Sequence, residues 1–188
     1  MSLLEDHEEE KDGGLVVTQL TAGQEEAIQE QEFKYATLLQ VRNNLKDITS
    51  LKCESDFLTF VKLMAPTLVS DWKMGKHIEV ISEKLQKVVD GKIKRLMVFL
   101  PPRSSKSVIC SKLFPAWYMG KNPNHEILTV SHSDQLSSDF GRAVRDIVGT
   151  EEFTTIFPEV NLRQDVRAAG KWKTNLNGSY YAAGVRSQ

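Results

Sequence analysis

The order of apolar and polar positions along this chain marks out a polar leader, a helical stretch and a segment with the alternation of an α/β fold. From about Thr21 to Ile48 the chain is rich in Glu, Gln, Ala and Leu, all good helix formers. Tyr35, Leu38, Leu39, Leu45 and Ile48 fall close to one face of that helix, which suits packing on the body of the protein or binding a partner. Ser55 can cap a short helix whose stripe is Phe57, Phe60, Val61 and Met64, ended by Pro66. A longer helix is expected from about Gly75 to Val89, with the stripe Ile78, Ile81, Leu85, Val88 and Val89, and Gly91 suits its C-terminus.

Leu96-Met97-Val98-Phe99-Leu100 is a five-residue apolar run of the kind found in buried parallel strands. From Lys106 to about Tyr118 the pattern is helical again, with Val108, Ile109, Leu113, Phe114 and Trp117 turned inward. A turn around Lys121–Asn124 leads to a second strand, Glu126–Val130, and Ser133 or Asp134 can cap a helix to about Val148. Strand, loop, helix, strand, helix is a βαβ unit, and its first loop lies at the carboxyl end of a strand. Open α/β sheets bind ligands at that edge. A hairpin is expected from Lys171–Leu176 and Ser179–Val185 around Asn177-Gly178.

Composition adds a charge asymmetry. The 188 residues suit one domain, or one with an appendage. Their net charge is −1, yet residues 1–33 hold ten acids and one lysine, which leaves 23 bases and 15 acids in the remainder. The body is therefore basic at +8 and suits polyanionic partners, while residues 1–20 read as a disordered acidic leader. Cys53 and Cys110 are far apart and lack ligand-like spacing, so they read as reduced thiols. No apolar run approaches 18 residues, which excludes a membrane span, and the acidic N-terminus is unlike a signal peptide. The expected compartment is the cytoplasm.

The candidate chemistry lies in Pro101-Pro102-Arg103-Ser104-Ser105-Lys106-Ser107. A phosphate-binding loop needs backbone N–H groups converging on phosphate, a lysine for the terminal phosphates and a hydroxyl for magnesium. Lys106 and Ser107 supply the last two, directly after an apolar strand and at a helix start. The glycines of the usual spacing would fall at Leu100 and Ser105. Serine at 105 is small enough to be tolerated, with weaker phosphate binding expected, and Pro101-Pro102 can make the turn out of the strand. Pattern alone leaves open a plain lysine and serines at a helix start.

The stretch from about Trp72 to Val185 resembles the ATPase domain of tailed-phage large terminase subunits, whose loop commonly reads Pro-Pro-Arg-His-Gly-Lys-Ser. "FPAWYMGKNPNHEILTVSHSDQLSSDFGRAVRDIV" is similar to the family's segment after the loop, and "FPEVNLRQDVRAAGKWKTNLNGSYYAAGV" to its Arg-Ala-Ala-Gly-Lys-Trp hairpin region. Trp72 and His77 sit where that family has a Trp-His element near the nucleotide. The resemblance implies an α/β fold: a P-loop NTPase-type parallel sheet flanked by helices, with a helical N-terminal extension. It divides the chain into a leader (1–20), a helical region (21–92) and a partial ATPase core (93–188).

What the resemblance implies for residues is specific. Lys106 would bind the β- and γ-phosphates of ATP, and Ser107 the Mg ion. Ser104 and Ser105 would form the cradle, and Arg103 would sense or stabilise the γ-phosphate. Trp72 and His77 would flank the adenine. Arg142 and Arg145, on the helix after the second strand, read as a solvated basic face or as groups acting in a neighbouring subunit. Ser131-His132-Ser133 ends the second strand at the ligand edge, where it would couple nucleotide state to motion. The partners implied are double-stranded DNA, the portal and a small terminase subunit, with the full-length protein in a homo-oligomeric ring inside an infected bacterial host.

Hydrolysis also needs carboxylates at the end of another apolar strand, for magnesium and for water. After Val130 no apolar run ends in Asp-Asp or Asp-Glu. The expectation is a part of a longer motor ATPase, truncated before its acidic strand, that binds nucleotide without turning it over. Two alternatives are a non-catalytic module that binds nucleic acid or a packaging partner through a degenerate loop, and another P-loop enzyme such as a helicase-like ATPase. A small-molecule kinase is disfavoured, because no lid or substrate constellation is visible.

Overall fold

The computed structural model describes the backbone of residues 22–185 and the side chains of residues 29–165 and 168–185. The expected acidic leader at 1–20 lies outside the described residues. Helix α1 (Ala22–Ser55) is followed by α2 (Phe57–Leu68) and α3 (Lys76–Val89). A π-helical turn (Val108–Leu113) runs into α4 (Phe114–Lys121), and then come β1 (Glu126–Ser131), α5 (Asp134–Val148) and α6 (Glu151–Ile156). Strands β2 (Leu162–Ala168), β3 (Lys171–Thr174) and β4 (Ser179–Gly184) complete the order. The chain divides into two units, residues 1–43 and 44–188, so α2 and α3 belong to the unit that carries the sheet.

In the first unit, α1 is supported by local terms such as the Lys34–Glu30 pair one turn apart (2.7 Å). Along α1, Tyr35 and Leu38 of the first unit are exposed and Leu39 is half-buried, and Leu45 and Ile48, in the second unit, are exposed. Helix propensity specifies the helix, but apolar spacing alone does not supply a surface to bury it against.

In the second unit, Asp56 rather than Ser55 caps α2, its carboxylate accepting from the Thr59 N–H at 2.7 Å. Pro66 lies within the last turn of α2 rather than after it. The stripe Phe57, Phe60, Val61 and Met64 is fully buried, as are Ile78, Ile81 and Leu85 of α3 to within 6%. Aromatic rings tie these helices to later elements. Phe57 lies 5.1 Å from Trp117 and 5.5 Å from Phe114, and Phe60 lies 6.4 Å from Phe153. Gly91 takes φ +72°, the left-handed conformation that closes α3.

The sheet is mixed, with order β1-β4-β3-β2. The hairpin was legible, with Asn177 at φ +70° in its turn, and β3 pairs antiparallel with β4. The partner of β1 is different from expectation. It pairs in parallel with β4, Glu126 opposite Ser179 through Ser131 opposite Gly184, and not with residues 96–100. β2 and the short α6 were not anticipated, since neither carries a clean period. The fold is thus α/β, a four-stranded mixed sheet with helices packed on it.

Helix α5 packs on β4 and β1, and a glycine permits the approach. A Cβ built on Gly141 would stand 2.3 Å from the carbonyl oxygen of Ala169. Beside it the Trp172 indole N–H donates to the Gly141 carbonyl (3.0 Å), and its ring stacks on Tyr180 at 5.1 Å. Tyr180 in turn donates to the Thr129 hydroxyl at 2.8 Å. Gly141→Ala is expected to lower unfolding stability by about 1–3 kcal/mol, because the obstacle is backbone and must move. Urea unfolding followed by tryptophan fluorescence measures this, and an unchanged midpoint would contradict the contact.

Candidate phosphate-binding loop

Residues 95–100 run extended toward the loop, with Leu96, Val98 and Leu100 packed against the core. The alternation is that of a strand, but the segment joins no ladder among the described residues. Met97 and Phe99 are 78% and 81% exposed on its other side. The expected buried parallel strand is therefore a segment that pairs with no strand among the described residues. Apolar side chains on both faces satisfy the sequence criterion, but strand character needs a neighbour's N–H and C=O groups.

At residue 101 the chain turns. Arg103 and Ser105 both adopt left-handed backbone, with φ of +62° and +59°. The Ser104 hydroxyl donates to the Pro101 carbonyl at 2.7 Å and closes the turn. The helix then starts at Lys106, and the Ser105 carbonyl accepts from the Ile109 N–H at 3.1 Å. Ser105 thus occupies a conformation that favours glycine, at the position where the usual pattern has one. Residues 100–108 line a cavity of about 290 Å³.

The helix behind the loop is fixed by burial. Ile109, Leu113 and Trp117 are fully buried, and the Trp117 indole N–H donates to the Cys53 carbonyl at 2.8 Å. Between the loop and α4 the helix widens into its π turn, where the Phe114 N–H bonds back to the Ile109 carbonyl. Pro115 follows at once. Proline has no N–H to give and crowds the carbonyl one turn back, which a wider turn accommodates.

Lys106 is half-buried in the loop, while Arg103 and Ser107 are exposed. Among the described residues neither Arg103 nor Lys106 enters an ion pair, so both cations are uncommitted. Cys110 lies one turn after Lys106. Burial pushes its thiol above the usual value, and the nearby Lys106 charge opposes that shift. Cys53, fully buried, is pushed up to about 11 by burial and then by Asp56.

His77 lines a second groove of about 450 Å³, formed with Val80, Ile81 and residues 96–100. This groove adjoins the loop cavity, because Leu100 lines both. Trp72 does not line it, and its indole N–H points to the Met74 sulfur at 3.3 Å. The structure thus places His77 in the groove that adjoins the loop.

The remaining candidates fall elsewhere. Arg142 pairs with Asp139 (3.1 Å) and Arg145 with Asp146 (2.9 Å), which makes them part of a charged helix face. Ser131 donates to the Ser133 carbonyl at 2.8 Å, Ser133 caps α5, and His132 is exposed. Ser137 was not singled out in the sequence, and Asp134 was expected only as one of two candidate helix caps. The buried Ser137 hydroxyl donates to the Ala183 carbonyl (2.7 Å), and Asp134 accepts from the Gly184 N–H (2.6 Å). Both tie the end of β4 to α5, and Ser137 also shares a hydrogen bond with Ser131 of β1 (2.9 Å). The Ser-rich run 131–138 was the only signal for Ser137.

Comparison of the chain with protein-family models, curated proteins and solved structures finds no match. The placement of Lys106 against Cys110 has a consequence for thiol chemistry. Lys106→Ala removes the charge that favours the Cys110 thiolate, so alkylation by iodoacetamide at pH 8 is expected to slow further at that residue. Peptide mapping reads the two cysteines separately, and a faster Cys110 reaction would contradict the geometry.

Proposed function

We propose that this chain binds the phosphates of ATP with magnesium through residues 101–107, as the nucleotide-binding part of a DNA-packaging motor ATPase of the large-terminase type. The observation that carries this reading is the juxtaposition at the end of the 95–100 segment. A left-handed turn at Arg103 and Ser105 encloses a cavity, and the helix that follows opens with Lys106-Ser107. Turns with left-handed residues present successive N–H groups to one side and form anion-binding concavities. The uncommitted Lys106 and Arg103 add two cations there.

The donor set fits the ligand. Lys106 would hold the β- and γ-phosphates, and Ser107 offers one oxygen to magnesium. Magnesium usually keeps several waters and takes its other ligands from phosphate, so one protein oxygen is an ordinary contribution. When bound, the ion neutralises charge on the phosphates. Ser104 has a different role from the one first expected, since its hydroxyl is used within the loop on Pro101. His77 lies in the apolar groove beside the loop, where a base would reach it, and Trp72 takes no part in this reading.

The +8 body supports a polyanionic partner such as DNA; the portal, the small terminase subunit and the ring belong to the proposal through sequence resemblance alone. Among the described residues no helix is long and apolar enough to cross a membrane. The outer edge of β1 and the 95–100 segment each lack a strand neighbour among the described residues. No apolar run after Val130 carries the paired carboxylates that hydrolysis requires.

Calorimetric titration of the 188-residue protein with Mg–ATP tests the reading. Lys106→Ala is expected to weaken binding roughly 10- to 100-fold, the worth of a charge-assisted phosphate contact. Phosphate release by the wild-type chain is expected to stay at background. Equal affinity of wild type and Lys106→Ala rejects a phosphate loop and favours the binding module. Lys106-dependent release of phosphate rejects the claim that this chain lacks turnover.

A further inference from the structure

We infer that nucleotide affinity at this loop is limited by the backbone at Ser105, and that replacing this one serine by glycine strengthens binding. The inference rests on the phosphate-loop reading above and concerns how that site is tuned.

Among the described residues, positive φ occurs at four positions only: Gly91, Asn177, Arg103 and Ser105. The first two are residue types that tolerate it, in a helix terminus and a hairpin turn. The other two are an arginine and a serine, two residues apart in the same turn. In this region the Cβ of an L-residue crowds the following carbonyl, a penalty that glycine escapes.

Little else holds the turn in place. Pro101, Pro102 and Arg103 are exposed, and one side-chain hydrogen bond, Ser104 to Pro101, spans it. A costly conformer with few contacts competes with relaxed ones. A ligand that needs the costly conformer sees its affinity reduced in proportion to the time the loop spends elsewhere. The position at which this matters most is Ser105, whose carbonyl is the first acceptor of the helix. Its backbone angles therefore set both the turn and the direction in which Lys106 leaves it. Ser105 is a positioning residue: it acts through the loop conformation, not through its hydroxyl.

Calorimetric titration with Mg–ATP of wild type, Ser105→Gly, Ser105→Ala, Lys106→Ala and Ser105→Gly/Lys106→Ala decides the matter. Relieving a left-handed serine is expected to tighten binding roughly fivefold in Ser105→Gly. Ser105→Ala keeps the Cβ and loses the hydroxyl, so it is expected to bind no more tightly than wild type. The gain is expected to vanish in the double variant. Circular dichroism and thermal unfolding of each protein check that the fold is retained.

Lys106-dependent binding that is unchanged in Ser105→Gly overturns the inference and leaves the functional reading standing. An equal gain in Ser105→Ala also overturns it, because the hydroxyl would then be the cause. Binding that does not depend on Lys106, or no binding by any variant, overturns the phosphate-loop reading and this inference together. Binding detected only in Ser105→Gly and lost in its double variant supports both.

Discussion

The loop depends on the burial of the helix behind it. Ile109, Leu113 and Trp117 present one face to α2, and all three are inaccessible to solvent. Fully burying a large apolar side chain contributes about 1.5–3 kcal/mol, so the three together anchor the helix firmly. The Trp117 hydrogen bond to the Cys53 carbonyl adds direction to an otherwise non-directional force. Lys106 and Ser107 stand at the solvent end of this anchored element. Their position is inherited from packing, while the turn that precedes them is free to be strained.

A second buried constellation organises the sheet side. Trp172 and Tyr180 stack nearly parallel, at 5°, with each polar end satisfied, one by Gly141 and one by Thr129. Beside this stack α5 comes so close to the turn after β2 that a Cβ at 141 would meet the Ala169 carbonyl oxygen, which makes glycine the residue that fits there. The Ser131–Ser137 turn and Asp134 fasten the far end of the same strands. The β1–β4 pair is therefore rigid on its inner side. On its outer side Leu128 and Val130 are 67% and 53% exposed, like Met97 and Phe99 on the 95–100 segment. Parallel sheets are usually covered on both faces, and here the described residues cover one.

Legibility in the sequence followed the strength of local signals. Helices α2 and α3 announced themselves through apolar stripes at helical spacing, α5 through its capping residues at 133–134, and the β3–β4 hairpin through Asn177-Gly178. The loop was legible as a motif because Lys106-Ser107 follows an apolar run. Strand β2 was missed because Leu162–Ala168 carries charge at alternate positions, Arg163, Asp165 and Arg167, and is held by its partner. Arg142 and Arg145 were read as a solvated basic face or as groups acting in a neighbouring subunit, and each pairs with a carboxylate of its own helix. His77 and Trp72 were paired by the resemblance; in the structure His77 lines the groove with residues 96–100, while the Trp72 indole N–H points to the Met74 sulfur.

The sequence alone marked α2, α3 and α5 as helices, where the hairpin turns and which residues are candidates for the loop chemistry. These are properties of spacing and residue type within a dozen positions. Only the tertiary structure decided that β1 pairs with β4, that residues 96–100 stay unpaired, and that Arg103 and Ser105 are left-handed. Pairing depends on which backbone edge is within reach, and that is settled by packing far along the chain. The turn at 103–105 is likewise invisible in the sequence, because left-handed backbone at an arginine and a serine runs against the preference of those residue types. The sequence shows a missing glycine; the fold shows the conformation that a serine must take in its place.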